Sequence, residues 1–312
     1  MSDRPRFDDL PFLDGLDIRH AWDVWGREDT LGTVNLLTAA RVAAAAQLVR
    51  TGEVVSLDLP LDLPDPPLFG RQPYRHEIFR LNRNEMDDRL DNFHPQASTQ
   101  WDALSHVRAR EHGFYGGRTQ DPVDGPIGLG IDHYAEHGMA GRGVLCDIAG
   151  YFEVEGRAYD PFEPQMLTVE DVQGALEAAG VVISEGDILC LRTGWVGAYR
   201  QLDAAGRRAY ADDVRFAGLR GDEDMARFLW DSGIAALCAD NPAVEAVPGD
   251  PAVGSLHRRV LPSLGLALGE MFEFEALARA ASGDGRYAFL FVAAPLKIPG
   301  GLGSPGNAVA IR

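Results

Sequence analysis

The segment TVEDVQGALEAAGVVISEGDILCLR (residues 168–192) predicts a helix followed by a buried strand. Thr168 can cap a helix, and Asp171 stands three positions later, where a capping box usually has Glu. The helical pattern ends at Gly180, as many helices do, because glycine readily adopts the left-handed conformation. The apolar run DILCLR (187–192) then predicts the strand.

This alternation of helix and strand continues through the second half of the chain. It favours a mixed α/β architecture with one main core. The first half contains more strands and loops, so we do not expect a purely parallel doubly wound sheet. The other predicted helices are 39–50 (capped by Thr38), 222–232, 257–264 and 274–281, and the other predicted strands are 54–59, 144–148, 234–239, 266–271 and 287–293.

The chain of 312 residues has 47 acidic against 29 basic side chains, a formal net charge of −18. Such a charge repels phosphate backbones and anionic lipid, so nucleic acids and membrane surfaces are not expected partners. No apolar run approaches the roughly 20 residues of a membrane helix, and the polar N-terminal segment lacks the apolar core of a signal peptide. We therefore expect a cytoplasmic protein that acts on a small molecule.

Neither the cysteines nor the glycines form a cofactor-binding pattern. Cys146, Cys190 and Cys238 lie far apart in apolar runs, which predicts buried strand residues without a disulfide or a cysteine zinc site. The motif GxGxxG does not follow any predicted strand, and GxxxxGK[ST] is absent. A nucleotide cofactor is therefore not indicated.

The segment HPQASTQWDALSH (94–106) contains more polar groups than a plain strand needs. In an extended strand, alternate residues share a face, which brings four polar side chains together and turns Trp101 towards the core. The four are Gln96, Gln100, Asp102 and His106. A carboxylate and an imidazole on one face can bind a metal ion, or the carboxylate can orient the imidazole as a base. A polar strand edge with a solvated histidine is the structural alternative.

A second cluster is HRRVLPSLGLALGE (257–270). A histidine that precedes an apolar helix, as His257 does, is more often structural than catalytic. Glu270 ends an apolar run, where a buried charge is costly unless it is paired or bound to a metal. An exposed strand end is the alternative for Glu270.

The chain resembles a cyclase family that includes bacterial kynurenine formamidase and isatin hydrolase, with the signature His-x-Gly-Thr-His-x-Asp-x-Pro-x-His. The corresponding residues here are QASTQWDALSH (96–106), and the pairing TQWD is similar to that of a longer-chain subgroup. Three positions match: Thr99, Asp102 and His106. Four positions depart from the signature: Gln96 and Gln100 for two ligand histidines, Ser98 for glycine and Leu104 for proline.

Further segments resemble the family in the same order. They are GRGVLCDIAG (141–150), GDILCLRTGW (186–195), the late His257 and Glu270, and FVAAPLKIPGGLGSP (291–305). The resemblance implies a single compact α/β domain of the swivelling β/β/α type with a mixed sheet, over residues 25–312, preceded by an N-terminal arm of residues 1–24. It also implies a homo-oligomer, either a dimer or a tetramer.

The resemblance also implies the site residues. Asp102, His257 and Glu270 would bind a divalent metal, zinc or manganese, and His106 would be the general acid/base. Two amides replace two ligand imidazoles, which weakens the site, although Gln100 can still offer an oxygen. His94 is an alternative replacement ligand.

The resemblance places Arg192, Thr193 and Trp195 in a substrate pocket. We also assign Gln96 and Gln100 to substrate binding, as hydrogen-bond donors. For Arg192, a surface ion pair is the structural alternative.

The expected function is metal-assisted hydrolysis of a C–N amide, lactam or related cyclic carbonyl bond. Two alternatives stay open. One is a metal-independent cyclase, dehydratase or lactone-opening enzyme, in which His106, oriented by Asp102, acts as acid/base and the glutamines stabilise an oxyanion. The other is a non-catalytic small-molecule binder on the same scaffold.

Overall fold

The computed structural model describes residues 4–312, which contain thirteen strands, nine α-helices and short 3-10 turns. The strands are Val54–Ser56 (β1), Arg75–Arg80 (β2), Met86–Asp91 (β3), Gln100–Asp102 (β4), Met139–Asp147 (β5), Met166–Leu167 (β6), Ile188–Arg192 (β7), Gly218–Leu219 (β8), Ala236–Ala239 (β9), Ala267–Glu270 (β10), Ala288–Ala293 (β11), Gly303–Pro305 (β12) and Ala308–Ile311 (β13). The helices are Ala39–Ala46 (α1), Asp132–His137 (α2), Ile148–Val154 (α3), Val169–Ala178 (α4), Trp195–Gln201 (α5), Ala204–Asp212 (α6), Glu223–Asp231 (α7), Leu256–Val260 (α8) and Glu275–Asp284 (α9).

Nine strands form one mixed sheet in the order β1-β13-β11-β5-β7-β9-β10-β4-β12. The four central strands β5, β7, β9 and β10 are parallel, and antiparallel strands flank them on both sides. This arrangement confirms the predicted α/β class with a mixed sheet. It also places the antiparallel strand β4 directly beside the carboxyl end of the parallel strand β10.

The central strands are buried because helices cover the sheet. Helix α1 packs on β5 and β11, and α4 packs on β5, α3 and α7. Cys146, Cys190 and Cys238 are free and buried in β5, β7 and β9, as predicted. The N-terminal arm, from residue 4 onward, lies against this core through buried Phe7 and Leu10, and its first three residues lie outside the described range.

The segment that predicted the fold class forms the expected elements. Thr168 and Asp171 make a reciprocal capping box at the start of α4. Gly180 then adopts a left-handed φ of +64°, and β7 begins at Ile188. Helix α7 begins after Asp222, whose side chain accepts a hydrogen bond from the Met225 backbone N–H at 3.0 Å.

Several predicted boundaries differ from the structure: β1 ends at Ser56 rather than at residue 59, β9 begins at Ala236 rather than at residue 234, and α9 ends at Asp284 rather than at residue 281. Three further differences have a physical cause. Helix α1 ends at Ala46 rather than at residue 50, since the next residues continue in tighter i→i+3 turns. Helix α8 ends at Val260 rather than at residue 264, just before the restriction that Pro262 imposes. Strand β5 begins at Met139, earlier than predicted, because it pairs with β11 from that residue on.

A hairpin of β2 and β3 forms a separate two-stranded sheet. Every residue of β3 is exposed, and Ile78, Met86 and Leu90 are 68%, 56% and 42% exposed. The strand register places these three apolar side chains on one face of the hairpin. Across residues 4–312, no helix combines the length and the apolarity needed to cross a bilayer.

Candidate metal centre

The end of β10 and the short strand β4 carry the first three side chains of the site. Glu270 pairs with Gln100 in the antiparallel register, so both side chains point to one face, and Asp102 shares that face two residues along. Trp101 points to the opposite face and packs edge-to-face on Phe272 at 5.1 Å. The predicted common face is therefore correct for Gln100 and Asp102.

His257, the second residue of α8, joins Asp102 and Glu270 in a group of three side chains that could hold a metal ion. One ligand atom from each of Asp102, His257 and Glu270 lies within 4.8 Å of the others. The His257 Nε2 atom is 3.0 Å from Glu270 Oε1 and 3.8 Å from Asp102 Oδ2. Two stretches separated by more than 150 residues thus converge on one point.

Two buried oxygens in this group have no hydrogen-bond partner. They are Asp102 Oδ2 and Gln100 Oε1. Asp102 is completely buried, and Glu270 is 5% exposed. A buried polar atom without a partner is costly, so an oxygen pair of this kind fits a cation better than an empty space. The residues present therefore suit a divalent metal ion.

The two glutamines that replace histidines donate hydrogen bonds to the carboxylates. Gln96 Nε2 donates to Asp102 Oδ1 at 2.7 Å. Gln100 Nε2 donates to Glu270 Oε2, and this bond leaves the Gln100 oxygen free. The amides thus hold the two acids in place.

His106 is placed differently from the prediction. The expected extended strand over 96–106 was wrong, because regular pairing covers only Gln100–Asp102 and the chain then turns, with the His106 N–H bonded to Ala103 O at 2.9 Å. The turn nevertheless returns the imidazole to Asp102, with His106 Nε2 3.8 Å from Asp102 Oδ1. Its side chain is 28% exposed, so it lies on the open side of the acids.

Burial and charge shift the pKa values of the group. Burial raises the pKa of Glu270, and the neighbouring Asp102 carboxylate raises it further. Burial alone would lower the pKa of His257, but hydrogen bonds and charges from Glu245 and Glu270 raise it well above its usual value. Without a metal ion, the cluster therefore favours an imidazolium between carboxylates.

Glu245 is a site residue that the sequence reasoning missed. Its Oε1 atom lies 2.8 Å from His257 Nδ1, on the side of the ring away from Glu270. Burial alone would raise the pKa of Glu245, but hydrogen bonds from His257 and from backbone N–H groups lower it. The available signal was an acidic residue inside the apolar run AVEAV (243–247).

The side chains of Arg192 and Trp195 form hydrogen bonds with residues other than the candidate metal ligands. Arg192 forms a two-pronged ion pair with Glu275 at 2.8 and 3.0 Å and a third bond to Asp147. Trp195 is completely buried and donates its indole N–H to the Tyr210 hydroxyl. Their predicted contact with substrate stays a prediction.

His94 lies outside the group of ligands. It lines a cavity of about 280 Å³ together with Tyr74 and Phe93.

A family model described as "Putative cyclase" matches residues 55–246, more than half of the chain. The chain belongs to the cyclase family. This result confirms the resemblance that the sequence motifs indicated. No curated protein matches the chain.

Solved structures of the cyclase fold agree with this assignment. A crystal structure described as a novel cyclase is 33% identical, with a TM-score of 0.81 over 94% of this chain and 99% of the other. Isatin hydrolase A from Labrenzia aggregata, bound to benzyl benzoate, is 19% identical, with a TM-score of 0.58 over 85% and 94%. A "predicted metal-dependent hydrolase" from Bacillus stearothermophilus is 19% identical, with a TM-score of 0.51 over 83% and 97%. The isatin hydrolase and the Bacillus stearothermophilus protein share the fold of this chain.

Proposed function

We propose that this cyclase-family chain hydrolyses a C–N bond of an amide, a lactam or a related cyclic carbonyl compound with the help of a divalent metal ion. The observation that carries the proposal is the buried Asp102 Oδ2 atom, which has no hydrogen-bond partner and lies 3.8 Å from His257 Nε2. The names of the isatin hydrolase and the metal-dependent hydrolase support the reaction class.

Asp102, His257 and Glu270 would hold the metal ion, and Gln100 Oε1 is a fourth candidate ligand. Bound there, the ion supplies Lewis-acid chemistry, since it polarises a carbonyl and lowers the pKa of water. One nitrogen and three oxygens form a harder donor set than the histidine-rich site of the family. Manganese therefore suits this chain better than it suits an imidazole-rich site, and zinc remains a candidate.

His106 would act as the general acid/base. Its exposed ring lies beside the buried acids, where it can take a proton from water and return it to the leaving nitrogen. The His106 Nε2 atom lies 3.8 Å from Asp102 Oδ1, so the carboxylate can orient the ring for both transfers. Gln96 and Gln100 flank the acids, and we assign both to the substrate side of the pocket as well.

Elemental analysis of protein purified without chelator tests the metal proposal. We expect close to one manganese or zinc ion per chain, and we expect that chelation removes hydrolysis of amide and lactam substrates and that added metal restores it. A metal-free protein that still turns over substrate would contradict the proposal and support the metal-independent enzyme.

The hydrogen bonds from Gln96 and Gln100 favour that metal-independent enzyme as the second candidate. Both carboxylates already have an amide donor, so the site can persist without a cation. Protein that neither binds metal nor turns over any amide, lactam or lactone would instead indicate the non-catalytic binder. A cytoplasmic location stays a prediction from the sequence.

We also propose a homo-oligomer, because a two-stranded hairpin with exposed apolar residues is marginally stable by itself in water. Ile78 lies on the apolar face of the β2–β3 hairpin. Replacing it with aspartate puts a charge on this face, and we expect the variant to shift from a dimer or tetramer towards the monomer. Light scattering after size exclusion measures the change. The matched control is Val123→Asp, which alters another exposed apolar residue and should leave the mass unchanged. A wild-type monomer would contradict the proposal.

A further inference from the structure

The Glu245 carboxylate accepts four hydrogen bonds, all from the first turn of α8. Its Oε1 atom accepts from the Ser255 hydroxyl at 3.0 Å, from the His257 N–H at 3.2 Å and from His257 Nδ1 at 2.8 Å. Its Oε2 atom accepts from the Leu256 N–H at 2.6 Å. One carboxylate therefore fixes both the backbone and the ring of His257.

The backbone around Glu245 is itself held tightly. The preceding residue, Val244, is completely buried with a left-handed φ of +58°, an unusual conformation for a β-branched residue. Backbone bonds tie this stretch to Leu219 of β8, at 2.9 Å and 3.2 Å. A side chain at Gly218 would lie 2.4 Å from the Glu245 carbonyl carbon, so glycine alone allows this approach. The chain thus maintains a strained backbone that presents this one carboxylate to α8.

The carboxylate determines which ring nitrogen of His257 faces the acids. An ionised carboxylate can only accept, so Nδ1 must carry the proton in the bond to Glu245. Nε2 then points to Glu270 Oε1 and Asp102 Oδ2. An imidazole whose other N–H is held by a carboxylate is oriented and is also a more basic metal ligand.

We propose that Glu245 is the positioning residue of the metal centre, holding the His257 ring so that Nε2 is the ligand atom. The inference rests on the proposed function, because it assigns a role towards the metal that Asp102, His257 and Glu270 would bind. Glu245 thus joins the three candidate ligands as a fourth side chain of the centre, but it would not itself contact the ion.

The test compares the affinity for Mn²⁺ of the wild type and of Glu245→Gln, measured by competition with a chelator in the full-length protein. Glutamine has the same shape but lacks the charge, and its NH₂ group faces a donor. We expect Mn²⁺ to bind about 10–100-fold more weakly, the usual effect of losing a partner of a ligating histidine.

The matched control is Ser255→Ala, which removes a donor to the same carboxylate but leaves the bond to the ring. Glu245→Gln weakens the acceptor of the first N–H groups of α8, and Ser255→Ala removes one hydrogen bond to the same carboxylate, so both should lower the melting temperature of the metal-free protein. A merely structural Glu245 would lower the melting temperature and leave the Mn²⁺ affinity unchanged in both variants, which would overturn the inference. A selective loss of affinity in Glu245→Gln supports it.

Glu245→Asp keeps the test decisive if Glu245→Gln does not fold. Aspartate retains the charge but is one methylene shorter, so we expect weakened Mn²⁺ binding in a folded protein, with less loss than for glutamine where both can be measured. Wild-type affinity in Glu245→Asp would overturn the inference. A wild type that binds neither Mn²⁺ nor Zn²⁺ refutes the metal proposal itself, whereas equal binding by wild type and Glu245 variants refutes only the role of Glu245.

Discussion

Asp102→Asn is expected to abolish tight metal binding and hydrolysis, yet to leave the metal-free protein at least as stable as the wild type. Asparagine keeps the shape of the side chain, but a neutral amide oxygen is a weak ligand. We expect the Mn²⁺ affinity to fall on the order of 10³-fold, since breaking one buried charge interaction costs about 3–5 kcal/mol.

The stability part of this prediction follows from the repulsion between the two acids. Ligand oxygens of Asp102 and Glu270 lie within 4.8 Å of each other, so their charges repel in the metal-free site, and this repulsion contributes to the raised pKa of Glu270. Removing one charge relieves that repulsion, and Gln96 can still donate to the asparagine oxygen. Residues kept for function often lower the stability of the folded protein, so a variant that removes one of the two charges can be more stable than the wild type. Chelator competition and thermal unfolding of the chelated protein measure the two effects.

Asp240→Asn is the matched control. Asp240 is also completely buried and directly follows the neighbouring strand β9, but its carboxylate accepts from Thr193 and from the Gly194 N–H. We expect this variant to retain its metal. If Asp102→Asn binds Mn²⁺ as tightly as the wild type does, Asp102 is not a ligand and the proposed metal centre fails.

Local sequence signals were sufficient for several elements of the second half, although α5, α6 and the short strands β6, β8, β12 and β13 were not predicted. The capping box of Thr168 and Asp171 works through neighbouring backbone groups, so it is readable without knowledge of the fold. The apolar runs around Cys146, Cys190 and Cys238 likewise predict burial, because a strand covered on both faces needs apolar residues at every position.

The start of β5 could not be predicted from the sequence, because tertiary contacts determine which residues stand there. The stretch from Met139 includes Gly141 and Gly143, which weaken any strand pattern. In the structure, a side chain at Gly143 would lie 2.4 Å from the Phe289 ring of β11. The glycine is therefore needed by a strand that is distant in the sequence, and only the fold reveals the reason.

The sequence predicted which side chains come together, but not how the chain brings them together. Alternation along 96–106 suggested that His106 and Asp102 share a face, and they do lie 3.8 Å apart, but a turn brings them together rather than a strand. The sequence did not reveal Glu245, because its role comes from its contacts with α8, which begins eleven residues later and folds back on it. The spacing of residues predicts which side chains are close within one helix or strand. It does not predict contacts that form when the chain folds back on itself.

His106→Ala is expected to slow hydrolysis about 10²–10⁴-fold, the usual contribution of a general acid/base, without removing the metal ion. The ring is absent from the group of three ligands, and its 28% exposure places it where substrate and water can reach it. Turnover at saturating substrate and the metal content of the same preparation are measured together. Added imidazole should restore part of the rate, because it replaces the missing base without restoring any bond of the fold.

His112→Ala is the matched control for this variant. His112 is 20% exposed, lies six residues further along the same segment and has Glu111 as its ion-pair partner at 3.8 Å. We expect its rate to stay near that of the wild type. Loss of metal in His106→Ala would instead make His106 a ligand. Full activity in His106→Ala would show that the reaction does not depend on the His106 ring, and the assignment of the general acid/base would fail.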